Sequence, residues 1–309
     1  MRPSFISLDW GTSSLRATLV SDEGSIIEAR STAGGVMAVK DRQFQQSLNA
    51  LCEDWIDIHR CPVIASGMIG SRQGWVEAPY LDCPATPAAA AQSFTSFSLT
   101  EDVDMHIIPG LRCRDANGVY DVMRGEEIQI WGAEVNPETC CVLPGTHSKW
   151  AYVGDDARIT RFATYMTGEL YGLMTKHGIL GRLMAFGNDD PEAFAMGAKL
   201  GLQSRLDATH AIFAARTAGL MNQISPTGLP DYLSGILIGV EVASALGQGW
   251  IDGRNAQAVV LIGDDDLCRR YESVLRLADL ESVRARDGAT TRGHIQIAKE
   301  AGILRRVEA

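Results

Sequence analysis

"LDWGTSSLRATL", Leu8 to Leu19, sets an acidic residue and a Gly-Thr-Ser-Ser turn between two apolar runs. Leu15, Ala17 and Leu19 alternate with Arg16, Thr18 and Val20, the period of a strand with one buried face. Phe5–Leu8 reads as the strand before it and Ser25–Ala29 as the strand after, with Ser21-Asp22-Glu23-Gly24 as a hairpin turn. The same grammar returns almost half a chain later in "VLPGTHSKWAYV", Val142 to Val153. There Gly145-Thr146-His147-Ser148 follows the strand Cys140–Leu143 and precedes strands Trp150–Val153 and Arg158–Phe162 around Gly154-Asp155-Asp156. Two copies of one supersecondary unit predict a duplicated α/β chain, with each copy offering its turn to a shared cleft. The first domain is expected over 1–136 and the second over 137–309.

A tight turn of glycine and small hydroxyl residues exposes successive backbone N–H groups with no Cβ bulk in front of them, which suits phosphate oxygens. Gly11, Thr12, Ser13 and Ser14, and their counterparts Gly145, Thr146, His147 and Ser148, are therefore candidate phosphate ligands. Asp9 beside such a site calls for a cation between carboxylate and phosphate, and hydrated Mg²⁺ is the usual one. The competing reading makes Asp9 the start of an Asx-type turn whose hydroxyls serve local backbone. Neither GxxxxGK[ST] nor a GxGxxG following a strand occurs, so a nucleotide site must be built without those motifs.

With 309 residues, 46% of them hydrophobic, the chain has apolar material for two cores. A net charge of -10 argues against nucleic-acid and anionic-membrane surfaces, though not against a small phosphorylated molecule. No signal peptide is read at the start, and Glu241 interrupts the best membrane-span candidate, Tyr232–Leu246. Seven cysteines without CxxC or Cys/His spacing fit a reducing cytoplasm and argue against structural zinc.

Between the two turns, helices are expected over Gln43–Arg60 and Arg124–Val135, the latter opening at Gly125, with a further start after Pro87. Short strands are expected at Pro62–Ala65, Met105–Pro109 and Arg112–Arg114, with "SGMIGSRQGW" as a Gly-rich loop. Beyond the second turn the pattern gives a helix over Thr167–His177, a mainly helical stretch from Pro191 to Leu246 broken at Ser225–Pro230, a strand at Val259–Ile262, a helix over Leu267–Leu277 and a terminal helix. Asp189, Asp190 and Glu192 around Pro191 read as a helix cap cluster.

In their order, these stretches resemble a known family. "LDWGTSSLRA" and "VLPGTHSKWAYV" are similar to the first and second phosphate motifs of the actin-like, heat-shock-chaperone and sugar-kinase ATPase superfamily. "ASGMIGSRQGWVEAPYLDCPA", "VMRGEEIQIWGA", "FATYMTGELYG" and "YLSGILIGVE" resemble the 2-dehydro-3-deoxygalactonokinase family within it, from Ile6 to about Ile297. The resemblance implies two ribonuclease-H-like domains with a nucleotide cleft between them. It also implies ATP and Mg²⁺ as cofactors, and phosphorylation of the 6-hydroxyl of 2-dehydro-3-deoxy-D-galactonate in galactonate catabolism. A kinase for another sugar acid is the nearest alternative; an actin- or chaperone-like ATPase and a nuclease built on Asp9 and Glu126 are more distant ones.

The roles implied are these. A carboxylate at a helix start accepts the substrate proton; the match is Glu126-Glu127, with Glu126 favoured because it follows Gly125, and either left open. The substrate carboxylate asks for a guanidinium, with Arg72, Arg112, Arg114 and Arg124 as candidates, and the loop residues Ser71, Gln73 and Trp75 as sugar contacts. Arg16 and Lys149 follow the turns and either offset phosphate charge or face solvent from a hairpin. His147 is either a phosphate donor or a turn residue bonded locally. The adenine pocket is expected near Gly235 and Gly239 and at Gly263, although helix glycines equally permit close packing. The expected partners are ATP and a small sugar acid, with no nucleic acid or membrane; the oligomeric state stays open, a homodimer included.

Overall fold

The computed structural model describes residues 1–204, 206–251 and 258–304. Along the chain run β1 (Pro3–Trp10), β2 (Leu15–Ser21), β3 (Ile26–Thr32), α1 (Phe44–His59), β4 (Val63–Ser66), β5 (Tyr80–Asp82), α2 (Pro87–Ala91), β6 (Thr95–Ser98), β7 (Asp104–Ile107), β8 (Gly110–Arg114), β9 (Tyr120–Met123) and α3 (Glu126–Gly132). The second half continues with β10 (Thr139–Leu143), β11 (Ser148–Val153), β12 (Ile159–Tyr165), α4 (Thr167–Lys176), α5 (Pro191–Gln203), α6 (Ala208–Leu220), α7 (Leu229–Gly247), β13 (Val259–Leu261), α8 (Asp265–Leu277), β14 (Ser282–Arg284) and α9 (Ala289–Glu300).

The duplication is visible as topology. One sheet has the order β3-β2-β1-β4-β7-β6 and the other β12-β11-β10-β13-β14. In each, a meander of three consecutive strands is extended by two later strands joined in parallel, at β1–β4–β7 and at β10–β13–β14, and the first sheet adds β6 antiparallel to β7 at its edge. Crossovers between parallel neighbours need helices, which is why α1 separates β3 from β4 and why α4 to α7 precede β13. A third, small sheet orders β5-β8-β9.

The chain divides into two compact units: Met1–Pro137 with Val153–Arg161 and Arg286–Ala309, and Glu138–Tyr152 with Phe162–Ala285. The sequence reading assigned all of 137–309 to one domain; here α9 packs instead with α2, α3 and β1 in the first unit. Its apolar face, carried by Ala289, Gly293, Ile297 and Ala298, has no partner in its own stretch of sequence and finds one on α3. Gly132 and Gly293 permit that contact, since a Cβ on Gly132 would lie 1.8 Å from the Ala289 carbonyl oxygen and one on Gly293 2.1 Å from that of Ile128.

The first core gathers Trp10, Leu15, Leu48, Trp55, Val63 and Met105 between the main sheet and α1, whose buried residues Phe44, Leu48, Cys52, Trp55 and Ile56 keep a helical period. In the second unit the helical stretch from 191 resolves into α5, α6 and α7, with α5 ending at Gln203 and α6 beginning at Ala208 in addition to the expected break. The predicted cap at Pro191 is present: the Asp190 side chain accepts the Ala193 amide at 3.0 Å. α7 is the one helix among the described residues long and apolar enough to cross a membrane, and 78% of its apolar window is buried inside the protein.

Gly235 and Gly239 belong to this packing. A Cβ on Gly235 would meet the Phe194 carbonyl oxygen at 2.2 Å, and one on Gly239 that of Ala198 at 2.5 Å. From the facing helix, Gly197 and Gly201 approach Tyr232 and Ile236 at 2.0 and 2.3 Å in the same measure. The expected nucleotide role of Gly235 thus gives way to close approach of α5 and α7. Gly235→Ala raises helix propensity by about 1 kcal/mol, yet overpacking against backbone costs about 1–3 kcal/mol. Calorimetry should therefore show a lowered thermal midpoint for Gly235→Ala, and an unchanged or raised one would mean that the helices do not meet there.

Candidate active site

β1 ends at Asp9-Trp10, with Arg16 of β2 opposite Asp9 on one side and Ser66 of β4 opposite it on the other. The Arg16 guanidinium lies 3.3 Å from the Asp9 carboxylate. Burial pushes the Asp9 carboxyl up; Arg16 pulls it back, and the nearby charge of Glu126 adds to the rise. Asp9 and Glu126, far apart in sequence, therefore share one electrostatic neighbourhood.

Two glycines allow it. Gly67, just after β4, has φ +89°, and a Cβ there would sit 2.8 Å from the Trp10 carbonyl oxygen. Gly125 precedes α3 with φ +107°, and a Cβ there would lie 3.2 Å from the Gly67 Cα. Strand end, loop and helix start converge with only backbone between them.

The two adjacent glutamates part ways. The Glu127 side chain is fully buried, and its two carboxylate oxygens accept the Gly125 amide at 2.9 and 2.8 Å, capping α3 from within. Burial and then the charge of Glu126 push the Glu127 carboxyl up to about 8. Glu126 is partly exposed, with its carboxylate held by the Arg124 amide at 2.9 Å. Of the pair, Glu126 has access to a ligand and Glu127 holds the helix start.

In the first turn, three of the four carbonyls accept protein donors. Ser14 accepts the Gly11 amide at 2.9 Å, and the Gly11 and Thr12 carbonyls accept Val36 and Met37 amides at 2.9 and 3.2 Å. A phosphate is repelled by free carbonyl oxygens, so a turn whose carbonyls face protein donors is the arrangement an anion site requires. Thr12 and Ser13 are exposed at the tip, with Gly11 and Ser14 half-buried.

The second turn follows another plan. Thr146 accepts the Glu169 amide of α4 at 2.9 Å, and the His147 imidazole bonds the Glu169 carboxylate. Gly168 must be glycine there, since a Cβ would lie 2.4 Å from the Gly145 carbonyl oxygen. The Ser148 hydroxyl is buried and donates to the Glu241 carboxylate at 2.7 Å, so this residue can offer a ligand only its backbone. Lys149 is buried as well. Glu241, noticed in the sequence only as a break in an apolar run, also accepts Trp150 Nε1 at 2.8 Å, the Tyr271 hydroxyl at 2.7 Å and the Thr167 hydroxyl. Burial raises its carboxyl even against those four donors, and raises the Tyr271 phenol with it.

Beside this knot the second unit has a cavity of about 200 Å³, lined by Gly145, Thr167, Tyr171, Ser234, Arg270 and Tyr271 among others. Arg270 is fixed there by Asp231 at 2.6 Å. The cavity opens on the face of α7 that carries Ser234, Leu237 and Ile238, whereas Gly235 faces α5. Gly263, with φ +144° at the end of β13, stands near Pro144 with no tight neighbour and stays compatible with a close ligand. Tyr171 and Ser234 lie inside two of the stretches that carry the family resemblance, where no role is assigned to them, and Arg270 lies in none.

The arginine candidates separate sharply. Arg72 is 88% exposed and paired with Glu77 at 3.1 Å. Arg112 is locked onto Asp82 at 2.6 and 3.0 Å. Arg114 bonds the Gly118 carbonyl at 2.9 Å over the Tyr120 ring. Arg124 lies 4.3 Å over the Tyr80 ring and gives one nitrogen to the Ala78 carbonyl at 2.8 Å. Its Nε and Nη1 are buried and meet no acceptor. In the loop, Ser71 donates to Met68 at 2.8 Å and Trp75 stacks on Phe44 at 6.1 Å, so both support the loop itself, while Gln73 is exposed. No cluster of three or more His, Cys, Asp or Glu residues among the described ones is placed to hold a metal ion.

The sequence pattern of the 2-keto-3-deoxy-galactonokinase family matches residues 9–297. The chain is 36% identical over 295 residues to a Rhizobium meliloti protein provisionally named as a 2-dehydro-3-deoxygalactonokinase, covering 92% of each. It is 32% identical over 277 residues to the Escherichia coli 2-dehydro-3-deoxygalactonokinase, covering 89% of this chain and 90% of that one. A crystal structure from Sinorhizobium meliloti, provisionally assigned the same activity, superposes with a TM-score of 0.84 at 32% identity over 99% of this chain and 98% of its own. A xylulose kinase from Lactobacillus acidophilus, at 10% identity and TM-score 0.50 over 98% and 90% of the two chains, shares the fold. The architecture is the two-domain α/β fold of actin-like ATPases and sugar kinases.

Glu127 generates a test of this geometry. With a folded value near 8 against 4.5 for the ordinary carboxyl, the folded state retains a proton that the unfolded chain releases. Its contribution is fully present below about pH 4.5, drains as pH rises, and is gone above about pH 8. Denaturant unfolding of Glu127→Gln should give a stability, relative to the parent, that climbs steadily across that window. A pH-independent difference would mean that Glu127 is ionised in the fold.

Proposed function

The chain belongs to the 2-keto-3-deoxy-galactonokinase family, and we propose that it transfers the γ-phosphoryl group of ATP to the 6-hydroxyl of 2-dehydro-3-deoxy-D-galactonate, giving the 6-phospho product in galactonate catabolism. The observation that carries the sugar-acid reading is Arg124: a guanidinium with two buried donors left unsatisfied, two residues from Glu126. Buried donors without acceptors are rare in folded proteins, and a substrate carboxylate would satisfy them.

In this reading Glu126 accepts the proton of the attacking hydroxyl. It needs only modest basicity, because a loose phosphoryl-transfer transition state asks chiefly for positioning and late proton acceptance. In the first unit the exposed Thr12 and Ser13 present amides suited to phosphate oxygens; in the second, the turn from Gly145 to Ser148 does so beside the cavity at Tyr171 and Arg270, which would take the base. Asp9 is the residue that would hold Mg²⁺. A single hard carboxylate fits a cation that keeps most of its ligands as water and phosphate oxygen, and its charge would neutralise that developing on the phosphates. The proposed division of labour puts the first phosphate turn, sugar-acid loop and Glu126 in the first domain, and the second turn and base pocket in the other. The proposed location is the reducing cytoplasm, which suits seven cysteines without CxxC or Cys/His spacing.

A coupled ADP-release assay over a panel of sugar acids and neutral sugars tests the substrate; best turnover on a neutral sugar overturns it. Glu126→Gln should lower kcat by about a hundredfold or more with nucleotide binding retained. Arg124→Ala should raise KM for the sugar acid at least tenfold with little change for ATP. Unchanged sugar-acid KM in that variant would assign the carboxylate to another residue.

A further inference from the structure

His294, on α9, is fully buried within the first unit and lies far in sequence from Asp9, Glu126 and both turns. Its Nδ1 meets the Ser7 hydroxyl at 2.6 Å and its Nε2 the Ser66 hydroxyl at 2.9 Å. A neutral imidazole donates from one nitrogen and accepts at the other, and a serine hydroxyl can take either part, so the three side chains form a complete set. Burial pushes the imidazole down to about 3, so the ring is neutral at any ordinary pH and contributes hydrogen bonds rather than charge.

The two serines are placed where it matters. Ser7 is two residues before Asp9 on β1, and Ser66 is the β4 partner of Asp9 and the residue before Gly67. From the same helix, Gly293 packs its backbone against Ile128 of α3, the helix that Glu126 opens. α9 thus touches both halves of the site: the strand ends under Asp9 through His294, and the helix of Glu126 through Gly293.

We infer that His294 is a positioning residue, which fixes Asp9 and Glu126 in mutual register by pinning Ser7 and Ser66 to the helix on which α3 is seated. An apolar ring of similar size would fill the space yet leave both hydroxyls unsatisfied and the strand ends free to shift. Displacements of an ångström at such a pair are enough to slow phosphoryl transfer substantially.

The test compares His294→Phe, His294→Gln and Ser66→Ala in the full chain. His294→Phe should lower kcat at least tenfold with KM for ATP and sugar acid changed less than threefold, and His294→Gln, which keeps a donor and an acceptor, should recover most of the rate. A folded His294→Phe protein with parental kcat overturns the inference, as does a Gln variant no better than Phe. If His294→Phe does not fold, Ser66→Ala carries the test with a smaller loss of kcat and the same unchanged KM values. The kinetic arm rests on the kinase reading, so hydrogen exchange provides an arm that does not. In His294→Phe, amides around Asp9–Ser14 and Ser66–Gly70 should exchange faster while those of β2 stay protected. Unaltered exchange at both segments overturns the positioning role whether or not any sugar acid is turned over.

Discussion

Backbone contact between Gly67 and Gly125 is the constraint on which the first unit's chemistry depends. A Cβ would crowd backbone where β1 ends, β4 ends and α3 begins, at 2.8 Å from Gly67 and 3.2 Å from Gly125, and both residues adopt positive φ at that junction. The consequence reaches three residues at once. Asp9 comes within electrostatic range of Glu126, Glu127 is driven inside with the Gly125 amide as its partner, and Ser66 is left against α9. A Cβ at Gly67 would press on the Trp10 carbonyl, one at Gly125 would crowd Gly67, and both positions have a positive φ that a larger residue takes only under strain.

The second unit reaches a comparable rigidity by another route. Its counterpart turn lies over a buried carboxylate, Glu241, which gathers donors from β11, α4 and α8 onto α7. Removing such a carboxylate would strand four donors, whereas the price of keeping it is only a raised affinity for a proton. One repeat therefore anchors its turn by close approach of glycine backbone and the other by a hydrogen-bonded charge. Shared topology does not carry shared local chemistry.

Much of this was legible in the sequence. The two hairpins with their G-T-x-S turns, the α3 start at Gly125 and the Asp190 cap all rest on local rules of turn, period and cap, and these hold whatever surrounds them. β5, β6 and β14 were not legible, because each is short and largely unburied, without the apolar run that marks the equally short β4 and β13. Gly235 illustrates a second limit: a glycine in a helix signals close approach without saying to what, and here the neighbour is Phe194 rather than a ligand. The choice among four arginines likewise turned on partners, Glu77, Asp82 and Gly118, that sequence spacing does not reveal. His294 and Glu241 looked like ordinary members of amphipathic and apolar helices; only burial distinguishes them.

The grouping of α9 with β1 has a meaning for how the molecule is made. A chain synthesised from its amino end exposes β1 to β9 first, yet the helix that seats α3 and satisfies Ser7 and Ser66 is supplied only after the whole second unit has emerged. The second unit has its own sheet and core and can consolidate as an insertion, while the first waits with two hydroxyls and an apolar helix face unpartnered. The part of the fold begun earliest is thus completed last, through contacts of the greatest sequence separation, the kind that closes slowly.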